Sequence, residues 1–427
     1  MAAETGTRGR AATQGVIAGR GALSVGDPGT PTAPGFRWVR LTDVARLESG
    51  HTPSRRHPEY WDGEIPWIGI RDATGNHGRV IQTTNQKISE EGLANSSARI
   101  LPAGTVCLSR TASVGYVVSM GVPMATSQDF VNWVCGRELS SDYLRYVFIA
   151  EQGSVRRFAH GTTHQTVYYP EAKAFHVCVP RRDEQDRIAE VLSALDEKIL
   201  VNEKVRDTAL RLAGALYAAK STTEIKPLGD VADIFDGPHA TPTKTDAGPW
   251  FLSISSLKGG YLDLSESAHL SEGEFPKWTR RVQPRVGDVL FSYETRLGDA
   301  ALMMPDVRGS LGRRMALLRS KIDRLAGAVL LHAYLSPAFQ AEIAKRAVRG
   351  ATVDRIPLKE LPAWPLSLPA AGEHAELSVR LSSLHGAIAN VYHENQKLAD
   401  LRDALLPKLV TGQIRIKDAF RVVEDAV

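Results

Sequence analysis

From Ile188 onward, apolar residues recur three and four positions apart: Ile188, Leu192, Leu195 and Ile199, then Asn202, Val205, Ala209, Leu212 and Leu216. The same seam returns 189 residues later as Leu377, Leu381, Leu384, Ile388, Val391, Glu394, Leu398, Leu401 and Leu405. A three-four repeat sustained this long predicts two coiled-coil helices of about 40 residues, each roughly 55–60 Å long. An exposed leucine stripe of that length would aggregate, so each seam's expected partner is the other seam, in antiparallel pairing. Asn202 and Asn395 sit at or beside the seam, either as register-fixing amides or as amides edging into water.

Ahead of each helix the period changes. Gly104–Ser109, Gly115–Val118 and Phe130–Val134 read as strands, followed by a helix over Ser141–Phe158 with apolar residues at helical spacing. Gly287–Ser292 and a helix over Leu325–Arg349 repeat that order. Shorter signatures recur as well. Leu41-Thr-Asp-Val-Ala45 returns as Leu228-Gly-Asp-Val-Ala232, Pro66-Trp67 as Pro249-Trp250, and Ser109 with Gly115 as Ser292 with Gly298. Copies nearly half a chain apart indicate two fused modules rather than a solenoid.

The expected fold is therefore α+β. Two β-rich α/β modules are separated by two long helices pairing as an antiparallel coiled coil, with approximate two-fold symmetry. The boundaries read as a disordered N-terminal tail (1–35), a first module (36–180), a central helix (181–220), a second module (225–370), a distal helix (371–411) and a C-terminal tail (412–427). Residues 1–35 are rich in Gly, Ala, Thr and Pro and have too little apolar bulk to offset their ordering entropy. Arg8, Arg10 and Arg20 put cations there that could touch a phosphate backbone; the plainer reading is a solvated tail.

Composition narrows the function without naming it. With 427 residues, 23% charged and 43% hydrophobic, the chain has an ordinary globular make-up. Its formal charge of +4 permits an anionic partner without demanding one. There is no apolar run of about 18 residues and no charged start followed by an apolar core, so neither a membrane span nor a secretory signal is expected. Cys107, Cys135 and Cys178 are scattered and odd in number, as in a reducing compartment. The sequence has no phosphate-binding loop, dinucleotide fingerprint, zinc-protease or nucleophile-elbow motif, and no Asn-Pro-Pro-aromatic or Asp-Pro-Pro-aromatic tetrapeptide of the kind that holds a target amine. Asp196-Glu-Lys198 lies inside the helical seam and reads as a charged outer face. The inventory favours a binding protein over an enzyme.

Taken in order, these motifs resemble the DNA specificity subunit family of type I restriction–modification systems. Leu41-x-Asp-Val-Ala and Leu228-Gly-Asp-Val-Ala are similar to the opening of each target recognition domain. Gly104-Thr-Val-Cys-Leu-Ser-Arg110 with Gly115, and Gly287-Asp-Val-Leu-Phe-Ser292 with Gly298, resemble that family's strand pair. Gly161-Thr-Thr163 and Gly350-Ala-Thr352 stand where it has a Gly-Ser/Ala-Thr loop. Pro180-x-x-x-Glu-Gln185-x-x-Ile188 matches the start of its conserved helix, and Leu405-Leu-Pro-Lys-Leu-Val-Thr-Gly-Gln-Ile414 the distal ending. Two departures stand out: His374 replaces the glutamine at the second helix start, and Ala240-Thr-Pro242 is displaced by two residues relative to His51-Thr-Pro53.

The resemblance implies a non-catalytic, cytoplasmic subunit of a bacterium or archaeon, with no membrane association. Its recognition domains would read the two halves of a bipartite double-stranded DNA target, while its coiled coil sets their spacing and docks two methyltransferase subunits. Restriction/translocase subunits would complete the assembly. No cofactor is expected on this chain; S-adenosylmethionine, ATP and Mg²⁺ would belong to partner subunits. A separation set by stiff helices suits duplex DNA, whose one-face repeat is about 34–36 Å. Two other classes stay open: a standalone DNA-modifying enzyme with an unrecognised site, and an adaptor that binds no DNA.

Base edges are read by polar side chains and orientation is set by phosphate contacts. Candidates in the first module are Thr52, Arg71, Arg110, Thr111, Gln128, Thr162, Thr163, His164 and Gln165; in the second they are Lys244, Tyr293, Arg296, Arg313, Arg314, Arg349 and Thr352. Arginine pairs with guanine and glutamine with adenine in the major groove. Arg110 and Tyr293 occupy equivalent repeat positions, as expected of modules that read different bases. Glu294 could accept from a cytosine amine but reads more simply as a salt-bridge partner. Arg55-Arg56, Arg156-Arg157 and Arg280-Arg281 are candidate phosphate clamps, and Trp67 and Trp250 read as core.

Overall fold

The computed structural model describes residues 15–161, 165–220, 224–350 and 353–426. The chain forms two compact units, one of residues 1–197 with 398–427 and the other of 198–397. Each unit takes one β-rich module, part of the central helix (Arg182–Ala218) and part of the distal helix (His374–Val410), both 37 residues long. The α+β class holds in each.

In the first unit, a five-stranded sheet runs in the order Ala45–Ser49, Phe130–Cys135, Val106–Ser109, Val117–Met120, Val80–Ile81. Beside it lies a three-stranded sheet of Ala125–Thr126, Trp61–Ile68 and Gln86–Ile88. Val106, Leu108, Val117 and Trp133 are fully buried, as continuous apolar strand runs require. The expected single helix over 141–158 is two, Ser141–Ala150 and Gln152–Phe158, joined at Glu151.

Residues 15–35 contradict the expectation of disorder. Ile17–Ala18 and Leu23–Val25 are strands that extend the sheet of Phe175–Val179 and Arg37–Arg40, and Leu23 is fully buried. The reason is backbone pairing rather than side-chain bulk. Cys178 N donates to Ala22 O at 2.9 Å, while the buried Glu151 carboxylate accepts from Arg20 N at 2.8 Å and Ala22 N at 2.7 Å. Residues 1–14, with Arg8 and Arg10, lie outside the described residues. The closing segment carries a helix, Ile416–Ala426, with Ala419 buried.

The second unit repeats the plan. Its four-stranded sheet runs Ala232–Asp236, Met315–Ser320, Val289–Ser292, Ala300–Leu302, and its three-stranded sheet Ala268–His269, Thr245–Phe251, Gly309–Ser310. The helix expected over 325–349 is again split, into Gly327–Leu335 and Pro337–Arg346. Pro337 cannot continue a helix but suits the first turn of a new one, which Ser336 caps by accepting from Phe339 N. The duplication reaches the backbone dihedrals. Gly104 and Gly287 have φ of 82° and 86°, Ala112 and Thr295 62° and 71°, and Gly115 and Gly298 88° and 86°. A left-handed β-branched residue such as Thr295 is uncommon, so the turn geometry is imposed by the module rather than chosen by the residue.

Within the second unit, Lys198 lies 3.1 Å from Glu394 and Lys220 lies 2.9 Å from Glu373, so the central and distal segments run antiparallel there. In the first unit Asp196 bonds Arg402 at 2.8 Å. Ile188, Leu192, Leu195, Leu377, Leu381, Ile388, Leu398 and Leu405 are buried as expected, and Ile199, Leu216, Leu384 and Leu401 are half-buried. Val205 and Leu212 are corrections: they are 43% and 47% exposed, while Ala213 and Tyr217 are buried. A 3.5-residue repeat drifts about 20° per heptad on a straight helix. Ala213 and Tyr217 also join the second module's core, so the buried face follows that core.

The helix start that departs from the family pattern keeps its bond. Gln185 Nε2 donates to Pro180 O at 3.0 Å, and His374 Nε2 lies 2.9 Å from Pro369 O, each residue and its acceptor displaced by the same 189 positions. Both side chains are buried.

Candidate nucleic-acid interface

The first module gathers four of its candidates. Leucine and valine strands place Ser109 at the end of Val106–Ser109, and Arg110 follows it into a turn. Arg110 N donates to Asp129 O at 2.8 Å and its Nε donates to Gln128 O at 3.1 Å. Its guanidinium lies 5.0 Å from the Tyr169 ring. Burial raises the Tyr169 hydroxyl above its ordinary value, and Arg110 opposes that shift. Thr52 Oγ1 donates to Gln128 Oε1. Thr111 Oγ1 pairs with Thr166 Oγ1 at 3.0 Å, and Gln165, next to Thr166, is exposed. Arg71 stands outside this group, exposed on the short helix Ile70–Gly75. Thr162, Thr163 and His164 lie outside the described residues.

The second module has the same backbone frame with different side chains. Tyr293 N donates to Arg314 O and Ile356 N donates to Tyr293 O, as Arg110 N does to Asp129 O and Val167 N to Arg110 O. By this frame Gln128 corresponds to Arg313. Tyr293 itself is a correction to the candidate readers: its ring is 6% exposed and packs in the module's core. Burial, then Asp236, pushes its hydroxyl above the ordinary value. Glu294 is the salt-bridge partner expected, 3.0 Å from Arg314. Arg296 is held by Asp299 at 2.6 Å. Arg313, Lys244 and Arg349 are exposed and have no ion-pair partner among the described residues; Thr352 is not among those residues.

The paired arginines divide. Arg156 donates to Val114 O and Arg157 to Ala18 O and Ser154 Oγ, so both support the module's own backbone. Arg281 is tied to Asp236 at 3.2 Å. Arg56 and Arg280 remain exposed. Trp67 is 5% exposed, in keeping with a core role, and Trp250 is partly buried. The sequence reading missed Trp61 and Gln86, which hold Arg55: its guanidinium lies 3.5 Å from the Trp61 ring and its Nη2 donates to Gln86 Oε1 at 2.9 Å. No periodicity marks that group, because its members come from a loop and two strands.

The chemistry available is donor-rich recognition. The three thiols are free, and burial raises each, Cys135 to about 12 and Cys178 to about 11, which leaves no activated nucleophile among them. No helix of the described residues is long and apolar enough to cross a membrane.

Two α+β modules with matching turns and unlike polar tips define a duplicated architecture. Residues 35–210 match the family model of the type I restriction modification DNA specificity domain. The chain is 23% identical over 407 residues to the MjaIX specificity subunit of Methanocaldococcus jannaschii, covering 89% of this chain and 93% of that protein. It is 26% identical over 167 residues to the EcoR124I/EcoR124II specificity subunit of Escherichia coli, covering 37% and 40%. The fold is that of the crystal structure of the S subunit from M. genitalium, with a TM-score of 0.55 and 14% identity over 90% of this chain and 97% of that one. The matched region is thus similar to a type I specificity domain, and most of the chain is similar to a type I specificity subunit.

Proposed function

We propose that this chain is the non-catalytic, DNA-reading subunit of a type I complex. Each module reads one half of a bipartite duplex target, and the central and distal helices set the spacing and dock two methyltransferase subunits. Restriction/translocase subunits join that core, and S-adenosylmethionine, ATP and Mg²⁺ bind the partners. One observation carries the reading: a repeated turn, left-handed at Ala112 and at Thr295, pairs through its backbone with a second loop that carries Gln128 in one module and Arg313 in the other. Shared backbone with unlike donors is what two different half-sites require.

The test is a comparison of modified adenines in host DNA with the gene intact and deleted, the methyltransferase gene being retained and expressed in both. Loss of one split adenine motif in the deletion is the expected result. An unchanged methylation pattern overturns the proposal.

A further inference from the structure

We infer that Arg55 reads a guanine in the half-site of the first module, held for that task by Trp61 and Gln86. The inference rests on the DNA-reading function proposed above and assigns one base contact within it.

The loop from His51 to His57 is fastened to two tryptophans. Trp67 Nε1 donates to His51 O at 3.0 Å and Trp61 Nε1 to Ser54 O at 3.4 Å. The rings meet edge-on, with centroids 5.1 Å apart. Thr52 of this loop bonds Gln128, whose carbonyl accepts from Arg110, so the loop is joined to the turn that carries Arg110. Arg55 is exposed, yet its guanidinium is not loose: the Trp61 ring supports it from one side at 3.5 Å and Gln86 Oε1 accepts from Nη2 at 2.9 Å. The remaining N–H groups of the fork carry no partner among the described residues.

A phosphate needs a nearby cation and little else. A planar donor fork fixed in orientation before contact suits a bidentate acceptor, and guanine O6 and N7 form that pair in the major groove. Adenine, which presents one donor and one acceptor, does not match an all-donor group. Arg56, exposed beside it, is the better phosphate ligand. The second module lacks the arrangement. Gln86's counterpart 183 residues on is His269, whose ring centroid lies 3.9 Å from that of Trp250 and whose Nδ1 bonds Gly248 O at 2.7 Å. Lys244, not an arginine, immediately precedes the strand Thr245–Phe251.

The experiment measures binding of the full chain to its target duplex and to a panel with each base pair of the first half-site changed in turn. Wild type, Arg55→Lys and Gln86→Ala are compared at several salt concentrations. Arg55→Lys keeps the charge and loses the fork, so discrimination at one G·C pair should fall by about tenfold or more with an unchanged salt slope. Gln86→Ala should relax the same position less. If selectivity is intact at every position, or binding weakens uniformly with a smaller salt slope, Arg55 is not a base reader. A wild-type chain without salt-dependent DNA affinity overturns the DNA-reading function, and this assignment with it.

Discussion

Asn202 and Asn395 bond each other across the paired helices, with Asn202 Nδ2 2.8 Å from Asn395 Oδ1. Asn202 Nδ2 also donates to Glu394 Oε2 at 2.7 Å, and Asn395 Nδ2 donates to Ile199 O at 3.3 Å. Asn202 is 2% exposed, so its amide is a buried group with partners rather than one edging into water. Such a pair costs little while complete and much when halved.

Asn202→Ala should therefore lower the denaturation midpoint, by about 1–3 kcal/mol in stability, because Asn395 Oδ1 and Glu394 Oε2 lose their donor. The double variant Asn202→Leu/Asn395→Leu should recover most of that loss, since Glu394 keeps Lys198. Chemical denaturation of the three proteins decides it. A double variant as unstable as the single would place the cost elsewhere.

His332 and His385 form a second buried pair, with Nε2 atoms 3.0 Å apart. One nitrogen must donate and the other accept, an arrangement that two neutral rings in opposite tautomers satisfy. Burial holds both below the ordinary histidine value, and for His332 the neighbouring His385 adds to the effect. Depressed folded-state values mean the stability is fully present above about pH 6.5 and is lost as pH falls below it, because the unfolded chain takes up protons first. The variant His332→Phe/His385→Leu should show a shallower loss of midpoint between pH 6.5 and 4. Equal slopes would exonerate the pair. The corresponding contact in the first module, Tyr146 with Asp196 at 2.7 Å, contains no histidine.

Glu151 should anchor residues 17–25. Glu151→Ala leaves Arg20 N and Ala22 N without their acceptor, at about 1–3 kcal/mol. Amide exchange should quicken across 17–25 and stay unchanged in the second module. Unaltered protection there would mean that strand pairing alone holds the segment.

Arg313 and Arg314 should behave differently despite being adjacent. Arg313 is exposed and unpaired among the described residues, whereas Arg314 is bound to Glu294. Arg313→Ala should weaken target binding by about fivefold or more, with Arg314→Ala acting chiefly on thermal stability. Parallel effects of the two on binding would remove the distinction.

Much of the fold was legible because it rests on local periodicity. Ser109, Gly115 and their copies mark turns that any chain with those spacings must make, and the doubled seam marks helices of nearly the observed length. The site was legible only as an inventory of polar loop residues. Arg110 and Tyr293 occupy equivalent positions in the sequence, yet one lies at the surface of its module and the other in the core, a difference set by what packs around each turn.

The sequence by itself determined the duplication, the α+β order and the resemblance to type I specificity subunits. These follow from patterns repeated at a constant offset, and each is read within a few turns of helix or one strand. Only the tertiary structure decided that residues 17–25 join a sheet, that Ala213 rather than Leu212 is buried, and that Trp61 and Gln86 grip Arg55. Those outcomes depend on partners far away in the chain, such as Glu151 for Ala22 and Gln86 for Arg55. Local period carries no information about which distant backbone group or ring will arrive to satisfy a donor or cover a face.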